Sequence, residues 1–352
     1  MQYRLDSDIT EIAQHLGEVV QTFSGKTIIM TGARGFLGRY FTEVFAYLNE
    51  KVLEKPCTFV GYDSLLTAGE AGGQIIERPN MTFIKHDVTE PFDWEGPVDY
   101  IIHAAGIASP YYYRAYPLET LEVAITGTRN MLELATKHRA RMSFFSSSEI
   151  YGDPDPRHVP TPESYRGSVS CRGPRACYDE SKRVGETLCH IYHETFGTHS
   201  TTIRPFNVYG PGMQEADYRV LPNFASRIKA GQPLNIYGVG TQTRTFCYIT
   251  DAVVGFLLTL TRGVAGEAYN IGNPLPEIGM TDLVKTIERV LERPIAYNVI
   301  EYPDSYPADE PLRRCPDIRK ARLQLKYEPR IALDEGLRRF FAWTDKTYTG
   351  AN

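Results

Sequence analysis

The chain has 352 residues, of which 42% are hydrophobic and 23% are charged, and its formal net charge is −5. This composition is typical of a soluble globular protein and excludes a disordered chain. No run of basic residues is dense enough to follow a phosphate backbone, so we expect no nucleic-acid partner.

The cysteines and the apolar segments indicate a cytoplasmic protein. Neither a CxxC pair nor a histidine at zinc-finger spacing accompanies the cysteines, which predicts idle thiols and no metal. The N-terminus carries charges where a signal peptide would be apolar, and the run VVGFLLTL is too short to span a bilayer. We therefore expect neither secretion nor a membrane anchor.

The first elements in chain order predict an α/β fold. Residues 1–24 contain apolar positions at helical spacing, which predicts an amphipathic N-terminal helix. Between residues 25 and 204, the apolar segments KTIIMT, CTFVGYD, MTFIKHDV, VDYIIHAAG and RMSFFSSS alternate with helical patterns. Strands that alternate with helices predict a Rossmann-type, doubly wound parallel sheet.

The composition of the sequence and the length of its predicted elements change after residue 204. The elements become shorter and richer in proline, glycine and tyrosine, as in a smaller lobe. We predict that residues 205–239 and 273–352 form a C-terminal sugar-nucleotide-binding lobe, and that a segment around 240–272 returns to the Rossmann domain. Helices are expected around 281–292 and 333–345.

A glycine-rich loop follows the first predicted strand of the sheet. Gly32, Gly35 and Gly38 form a GxxGxxG pattern, which allows a tight turn, close approach of a pyrophosphate and close helix packing. The N-terminus of the next helix would hold the phosphates. We therefore predict a dinucleotide site, whose other contacts are expected to be Phe36, Leu37, Val88, Ala104 and Ala105.

Acidic residues near this loop favour NAD over NADP. Asp63 ends the second strand about 25 residues beyond the loop, where a carboxylate accepts hydrogen bonds from the adenosine ribose and repels a 2′-phosphate. The positive charge of Arg34, inside the loop, partly offsets this preference for NAD. By analogy, Asp87 after the third strand is expected to contact the adenine.

Tyr178 and Lys182 are four residues apart, so both side chains emerge on one face of a predicted helix. The preceding strand ends in Ser146, Ser147, Ser148 and Glu149, at the sheet edge where such folds bind ligands. An ammonium beside a phenol lowers the pKa of the phenol. The phenolate can then take a proton from a sugar hydroxyl while the cofactor takes the hydride from the same carbon.

Together these motifs resemble the extended short-chain dehydrogenase/reductases that act on nucleotide sugars. The resemblance covers about residues 26 to 345 and is closest to the UDP-glucuronate decarboxylases. Its narrower signatures are SSSEIYGDP, GPRACYDESKRVGET, RPFNVYGPGM, LNIYGVGTQTRTFCYITD and CPDIRKARLQLKYEP.

The resemblance implies a role for each matching residue. Tyr178 is the expected base, and Lys182 is its partner and a ligand of the nicotinamide ribose. Ser147 would bond the reacting sugar oxygen, while Ser148 and Glu149 match the pair that distinguishes the decarboxylases. Glu149, or a water that it positions, would assist reprotonation at C5. The substrate contacts implied are Asn207, Arg219, Tyr237 and Arg244.

The implied reaction converts UDP-glucuronate to UDP-xylose through transient oxidation at C4, with NAD regenerated in the site. A 4,6-dehydratase and a 4-epimerase remain alternatives, as does a non-catalytic NAD-binding regulator. A dehydratase typically has an Asp-Glu pair in place of Ser148 and Glu149, and an epimerase would leave Glu149 unexplained. A regulator would need neither Tyr178 nor Lys182.

Three departures from the decarboxylase pattern lie in loops around the expected sugar pocket. They are Arg114, the change of an Asn-Pro pair to Ser170 and Cys171 with Arg172 added, and Gly212. We expect Arg114 and Arg172 to contact the substrate, where they either rearrange how its acidic groups are held or mark a different acidic sugar nucleotide.

The resemblance also implies a homodimer, in which residues 117–137 and 178–196 of two subunits form a four-helix bundle. The apolar residues of the first segment fit this interface and burial against the sheet equally well; they are Leu118, Leu121, Ile125, Met131 and Leu132.

Overall fold

The structure of the chain, a computed structural model, describes residues 5–68, 78–92, 94–217, 219–238, 240–301 and 311–350. A seven-stranded parallel sheet lies at the centre of this part. Its strands are β1 (Thr27–Thr31), β2 (Thr58–Asp63), β3 (Met81–Lys85), β4 (Tyr100–His103), β5 (Arg141–Phe145), β6 (Ser200–Pro205) and β11 (Ala268–Ile271).

The strand order is β11-β6-β5-β4-β1-β2-β3, which confirms the predicted doubly wound sheet. The order reverses between β1 and β4, and in such sheets ligands bind at the carboxyl ends of the strands beside this reversal. The glycine loop follows β1, and the serine cluster follows β5 on the same edge.

Helices cover both faces of the sheet. They are α1 (Asp6–Leu16), α2 (Phe36–Lys51), α3 (Pro110–Ala115), α4 (Pro117–Glu122), α5 (Thr128–His138), α6 (Ala176–Phe196), α7 (Val220–Lys229), α8 (Ile249–Arg262), α9 (Met280–Leu291), α10 (Arg319–Leu325) and α11 (Leu333–Thr347). A π-helical turn, Val123–Gly127, joins α4 to α5. The helices predicted around 281–292 and 333–345 correspond to α9 and α11.

Alternate residues of the strands pack into two different cores. Ile28 and Met30 of β1 lie in the larger core with α2 and α8, whereas Ile29 lies in a second core with α5 and α6. This alternation follows from the two-residue period of a strand, and burial on both faces explains the nearly continuous apolar runs. Met131 and Leu132 are fully buried in the second core and therefore face the sheet.

The N-terminal helix packs on the Rossmann sheet's larger core. Ile12 and Leu16 of α1 are buried there beside α2 and α8. Asp8 is fully buried and accepts hydrogen bonds from the Tyr248 hydroxyl at 2.9 Å and the Tyr40 hydroxyl at 3.1 Å. The predicted division of the chain into domains stays a prediction.

The later part of the chain forms three small sheets. Strands β7 (Val208–Tyr209) and β10 (Cys247–Tyr248) pair in parallel, as do β8 (Leu234–Tyr237) and β13 (Tyr297–Ile300). The third sheet has β9 (Thr243–Arg244) between β12 (Ile278–Gly279) and β14 (Arg313–Arg314). Strand β7 begins three residues after β6 ends. The chain therefore passes directly from the carboxyl edge of the large sheet into the small sheets.

All six cysteines are free thiols. Within the described ranges, no group of three or more His, Cys, Asp or Glu side chains is arranged to hold a metal ion. Over the same part of the chain, every helix is too short or too polar to cross a membrane.

Candidate active site

The glycine loop is packed too closely for larger residues at two of its positions. Gly32 has a φ angle of 71°, in the left-handed region that favours glycine. A β-carbon there would lie 2.7 Å from the carbonyl oxygen of Ala104, and one on Gly38 would overlap the carbonyl of Gly32. Only glycine fits at these two positions, and its small size allows α2 to begin directly against the end of β1.

The N-terminus of α2 fits a diphosphate. No described side chain caps this helix, and the N–H groups of its first turn have no acceptor within the helix. Phe36 and Leu37 of that turn line a cavity, and a β-carbon on Gly35 would have no protein neighbour closer than 3.5 Å. Free N–H donors at the positive end of a helix dipole, with open space in front of them, suit the pyrophosphate of NAD.

Asp63 is held beside this loop by the backbone. Its carboxylate accepts hydrogen bonds from the N–H groups of Arg34 and Leu65, each at 2.8 Å. The guanidinium of Arg34 lies 5.1 Å from the centre of the Phe83 ring and is buried against it. The carboxylate thus lies at the end of β2, where the sequence analysis expects the ribose.

Asp87 has a local role in the structure. Its carboxylate accepts hydrogen bonds from the backbone N–H and the hydroxyl of Thr89, and the residue is exposed. Val88 is buried, and the N–H of Ala105 donates to the Thr31 hydroxyl. These residues lie outside the cavity wall, as does Asp63, so the predicted adenosine contacts stay predictions.

A cavity of about 620 Å³ opens at the carboxyl edge of the sheet. Residues that directly follow β4, β5 and β6 line one side of it, and residues of the lobe line the other. The structure brings together here most of the site residues predicted from the sequence: Phe36, Leu37, Ala104, Arg114, Ser147, Ser148, Glu149, Tyr178, Lys182, Asn207, Arg219, Tyr237 and Arg244.

Tyr178 and Lys182 lie on the first turns of α6 and are both buried. The Lys182 ammonium donates a hydrogen bond to the carbonyl oxygen of Phe145 at 2.9 Å and lies 5.6 Å from the centre of the Tyr178 ring. The Tyr178 ring stacks on Tyr113, with centroids 5.3 Å apart. The end of β5 and helix α3 therefore fix the predicted catalytic pair from two sides.

Burial dominates the protonation of this pair. It raises the pKa of Tyr178 to about 12, although a hydrogen bond with Ser147 acts in the opposite direction. Burial also lowers the pKa of Lys182 to about 8. The lowered phenol pKa expected from the spacing alone is therefore not found in this structure, because desolvation outweighs the hydrogen bond with Ser147 and the charge of Arg219.

The serine cluster lines the cavity next to Tyr178. The Ser147 hydroxyl accepts a hydrogen bond from the N–H of Glu149 at 3.2 Å, which caps a short 3-10 helix, Ser148–Tyr151. The Ser146 hydroxyl is buried and has no hydrogen-bond partner among the described residues. A buried hydroxyl without a partner is costly, so this wall suits a polar ligand or water.

Glu149 is bound by two arginines that the sequence analysis did not single out. Arg314 pairs with it through two hydrogen bonds, at 2.5 and 2.6 Å, and Arg175 bonds one of the same carboxylate oxygens. All three side chains line the cavity. Their only sequence signal is position, since Arg175 lies within GPRAC and Arg314 directly precedes CPDI.

The lobe residues predicted to bind the substrate make hydrogen bonds or ion pairs with neighbouring protein groups. The Asn207 amide donates to the carbonyl of Thr245 at 2.8 Å, and the guanidinium of Arg244 donates to the carbonyl of Thr243 at 2.8 Å. Arg219 is ion-paired with Asp217. The carbonyl of Tyr237, at the end of β8, accepts a hydrogen bond from Gln242 at 2.8 Å.

The three departures from the decarboxylase pattern have different positions. Arg114 lies on α3 and lines the cavity, whereas Arg172 is exposed and lies outside the wall. The expected contact of Arg172 with substrate is therefore not seen, because residues 170–174 turn outward before α6 begins and Arg175 faces the cavity instead. The carbonyl of Gly212 accepts a hydrogen bond from Arg39 of α2 at 2.6 Å.

Comparisons with known proteins agree with this geometry. The model of the NAD dependent epimerase/dehydratase family matches residues 28–272. UDP-glucuronic acid decarboxylase 5 of Arabidopsis thaliana is 40% identical over 316 residues, which cover 89% of this chain and 88% of that protein.

Two solved structures share the fold over nearly the whole chain. An epimerase from Methanothermobacter thermautotrophicus has a TM-score of 0.79 and 27% identity, covering 94% of this chain and 95% of that one. The UDP-glucuronic acid 4-epimerase of Bacillus cereus, in complex with UDP-glucuronic acid and NAD, has a TM-score of 0.73 and 25% identity, covering 92% and 100%. The predicted cofactor, NAD, is confirmed by the family. The chain therefore belongs to the NAD dependent epimerase/dehydratase family, that is, to the extended short-chain dehydrogenase/reductases.

Proposed function

We propose that the chain decarboxylates UDP-glucuronate to UDP-xylose. The observation that carries the proposal is the cluster of Arg175, Glu149 and Arg314 on the cavity wall, beside Tyr178 and Ser147. Two guanidinium groups face one carboxylate there, which suits a sugar that brings a carboxylate of its own. The decarboxylase from Arabidopsis thaliana, at 40% identity, supports the same activity.

The first step requires a base at the C4 hydroxyl. When bound at the N-terminus of α2, NAD supplies the hydride acceptor for C4 and later returns the hydride. Tyr178 takes the hydroxyl proton, and its stacking on Tyr113 and its hydrogen bond with Ser147 hold the phenol oxygen in place. Lys182, anchored on the carbonyl of Phe145, places positive charge beside the phenol as its proton leaves or returns.

Oxidation at C4 creates a ketone β to the C6 carboxylate, and loss of carbon dioxide leaves an enolate. Ser147 and the protonated Tyr178 are placed to donate hydrogen bonds to the enolate oxygen at C4. Glu149 is bonded to both arginines, so we propose that it orients them and positions a water that returns the proton at C5.

The test is incubation of the purified protein with UDP-glucuronate. We expect carbon dioxide and UDP-xylose in equal amounts, without net consumption of NAD. Conversion to UDP-galacturonate instead would show a 4-epimerase, which is the activity named for the Bacillus cereus structure. Unchanged UDP-glucuronate in the presence of bound NAD would contradict both activities.

We also propose a homodimer formed by the helical segment 117–138 and α6. Leu118 is 72% exposed, and Ile191 and Phe196 of α6 are exposed as well, which leaves apolar side chains on these helices for a partner. Light scattering should give twice the chain mass of 39.8 kDa, and Leu118→Asp should shift the protein towards the monomer. A monomeric wild type would contradict the assembly.

The cytoplasmic location remains a proposal too. Six free thiols are typical of a reducing compartment, because disulfides form in oxidising ones. Fractionation of the cells that produce the protein should recover it with soluble cytoplasmic proteins, and recovery from a membrane-bounded compartment would contradict this location.

A further inference from the structure

Asp179 is a buried carboxylate behind the wall of the cavity. It follows Tyr178 on the first turn of α6, is 7% exposed and does not line the cavity itself. Its Oδ2 lies 3.8 Å from Nε of Arg175, whose Nη2 bonds Glu149. Its Oδ1 is buried and has no hydrogen-bond partner among the described residues. Asp179 therefore reaches the cavity only through Arg175.

The charged and titratable groups around Asp179 come from several elements. Arg175 and Arg314 are the cations, and Glu149 on the wall and Glu180 next along α6 are the anions. Tyr113 of α3 and Cys177 and Tyr178 of α6 also feel its charge. Burial, followed by the negative charge of Glu149, raises the pKa of Asp179 to about 7 against the pull of both arginines.

The charge of the cluster depends on this proton. With Asp179 neutral, two guanidinium groups face the single carboxylate of Glu149, and the wall carries one net positive charge. With Asp179 ionised, two carboxylates balance two guanidinium groups, and the excess charge is lost. The ionised side chain also competes for Arg175, which is the link between Asp179 and the cavity.

We propose that Asp179 is a positioning residue for the carboxylate of the substrate, because its protonation sets the net charge of the Arg175–Glu149–Arg314 cluster. The inference rests on the proposed function, since it assumes an acidic sugar nucleotide. Protonated Asp179 leaves the cluster cationic and favours binding of the acidic sugar. Ionised Asp179 adds a like charge several ångströms from the sugar carboxylate, which at an intermediate effective dielectric weakens binding about fivefold.

The main experiment measures kcat and KM for UDP-glucuronate between pH 6 and pH 8. In the wild type, we expect KM to rise about threefold across this range as Asp179 ionises, because titration is incomplete at both ends. Asp179→Asn should keep the low KM at every pH, because the amide stays neutral. A structural role alone would lower kcat or stability without flattening the pH profile of KM.

Glu180→Gln is the matched control. It removes a carboxylate one residue further along α6, on a side chain paired with Arg183 at 3.6 Å. Its KM should still rise with pH, because Asp179 is intact, with the midpoint moved slightly to lower pH by the loss of the Glu180 charge. An Asp179→Asn profile that rises like the wild type, or a wild-type KM that is flat from pH 6 to pH 8, would overturn the inference.

A second measurement uses the wild type alone and does not depend on how the variant folds. Calorimetric titrations with UDP-glucuronate and with UDP-glucose, which lacks the carboxylate, are made at pH 6 and pH 8. We expect affinity to fall with rising pH for the acidic ligand alone. Equal changes for both ligands, or none, overturn the role of Asp179, and failure to bind UDP-glucuronate overturns the proposed function as well. If binding of UDP-glucuronate depends on pH but no carbon dioxide is released, only the proposed decarboxylation would be overturned.

Discussion

The phenol of Tyr178 is held by its neighbours rather than by solvent. Its ring stacks on Tyr113, its hydroxyl bonds Ser147, and the ammonium of Lys182 lies beside it. Because burial raises the pKa of Tyr178, the protonated phenol is the resting form in this structure, and the protein must favour the phenolate during turnover.

Tyr178→Phe should lower kcat by about a thousandfold, because it removes the base and keeps the stacked ring. Bound NAD, measured as nucleotide released on denaturation, should stay at the wild-type amount. Tyr113→Phe is the matched control, since it keeps the same stack and removes the other hydroxyl, and it should retain most of the activity. An active Tyr178→Phe protein would remove Tyr178 from the mechanism.

Glu149→Gln should be costly for the fold as well as for activity. The amide cannot balance Arg175 and Arg314, so two buried guanidinium groups would lose their charged partner, at about 3 kcal/mol of unfolding free energy. Urea denaturation measures this loss, with Glu180→Gln, at a half-buried carboxylate of α6, as the control. A Glu149→Gln protein as stable as the wild type would show that water solvates the arginines adequately.

The sequence predicts some of these residues and misses others for a physical reason. Tyr178, Lys182 and Ser147 belong to short motifs whose spacing within one helix or strand end reflects the geometry. The contacts of Glu149 with Arg175 and Arg314 join positions 26 and 165 residues apart, which no local period reveals. Arg172 is singled out because it departs from the decarboxylase pattern, and a departure in sequence does not show which way a loop turns.

At the scale of elements, the N-terminus of α2 combines packing against the sheet with binding of the cofactor. Gly32 and Gly38 are required by the protein's own backbone, while Gly35 has open space in front of it. The same motif therefore contains glycines that serve the fold and one glycine that we expect to serve the ligand.

Gly35→Ala separates these two roles. The φ angle of Gly35 is −69°, which alanine adopts readily, and the added methyl group would have no protein atom closer than 3.5 Å. We expect an unchanged melting temperature in the ligand-free protein and at least about tenfold weaker NAD binding, measured by nicotinamide or protein fluorescence. Gly38→Ala, in contrast, should unfold at a lower temperature, and tight NAD binding by Gly35→Ala would place the pyrophosphate elsewhere.

Long elements could be predicted from the sequence, and very short ones could not. The apolar runs of β1, β2, β4, β5 and β6 reflect burial on both faces of a parallel sheet, which is visible in each segment alone. Strands such as β7, β9 and β14 have two residues each, and only their distant partners define them. The π-helical turn at Val123–Gly127 has no local signal either, because the helical pattern continues through it.

At the scale of the whole molecule, Asp8 joins the two ends of the chain. It bonds Tyr40 of α2 and Tyr248 of β10, and its Oδ1 lies 3.4 Å from the guanidinium of Arg339 on α11. Burial raises the pKa of Asp8 from its ordinary 3.8 to about 6, against the hydrogen bonds and Arg339. The N-terminal helix is thus held by a carboxylate that is costly to ionise.

Asp8→Asn tests this cost through its pH dependence. Because the pKa of Asp8 is higher in the folded state, its contribution to stability is fully present below about pH 4 and is lost as pH rises through 6. The free energy of unfolding of the variant, relative to the wild type, should therefore rise by up to about 3 kcal/mol between pH 4 and pH 7.5. Urea denaturation at both values measures it, and Asp6→Asn, exposed on the same helix, is the control. A pH-independent difference would contradict this reading of Asp8.

The hydrogen bond from Arg39 to the carbonyl of Gly212 joins the helix that faces the pyrophosphate to the loop that follows β7. A nucleotide sugar that displaces this loop must carry Arg39 along or break the bond, and either outcome acts on the first turn of α2, next to Phe36 and Leu37 at the cavity. Thermodynamic linkage then works in both directions, so the factor by which the sugar nucleotide changes the affinity for NAD is the factor by which NAD changes the affinity for the sugar nucleotide. Gly212 has a φ angle of 97°, in the region that favours glycine, so a larger residue at this position would strain the backbone that presents the carbonyl to Arg39, and with it the contact that joins the two predicted ligand sites.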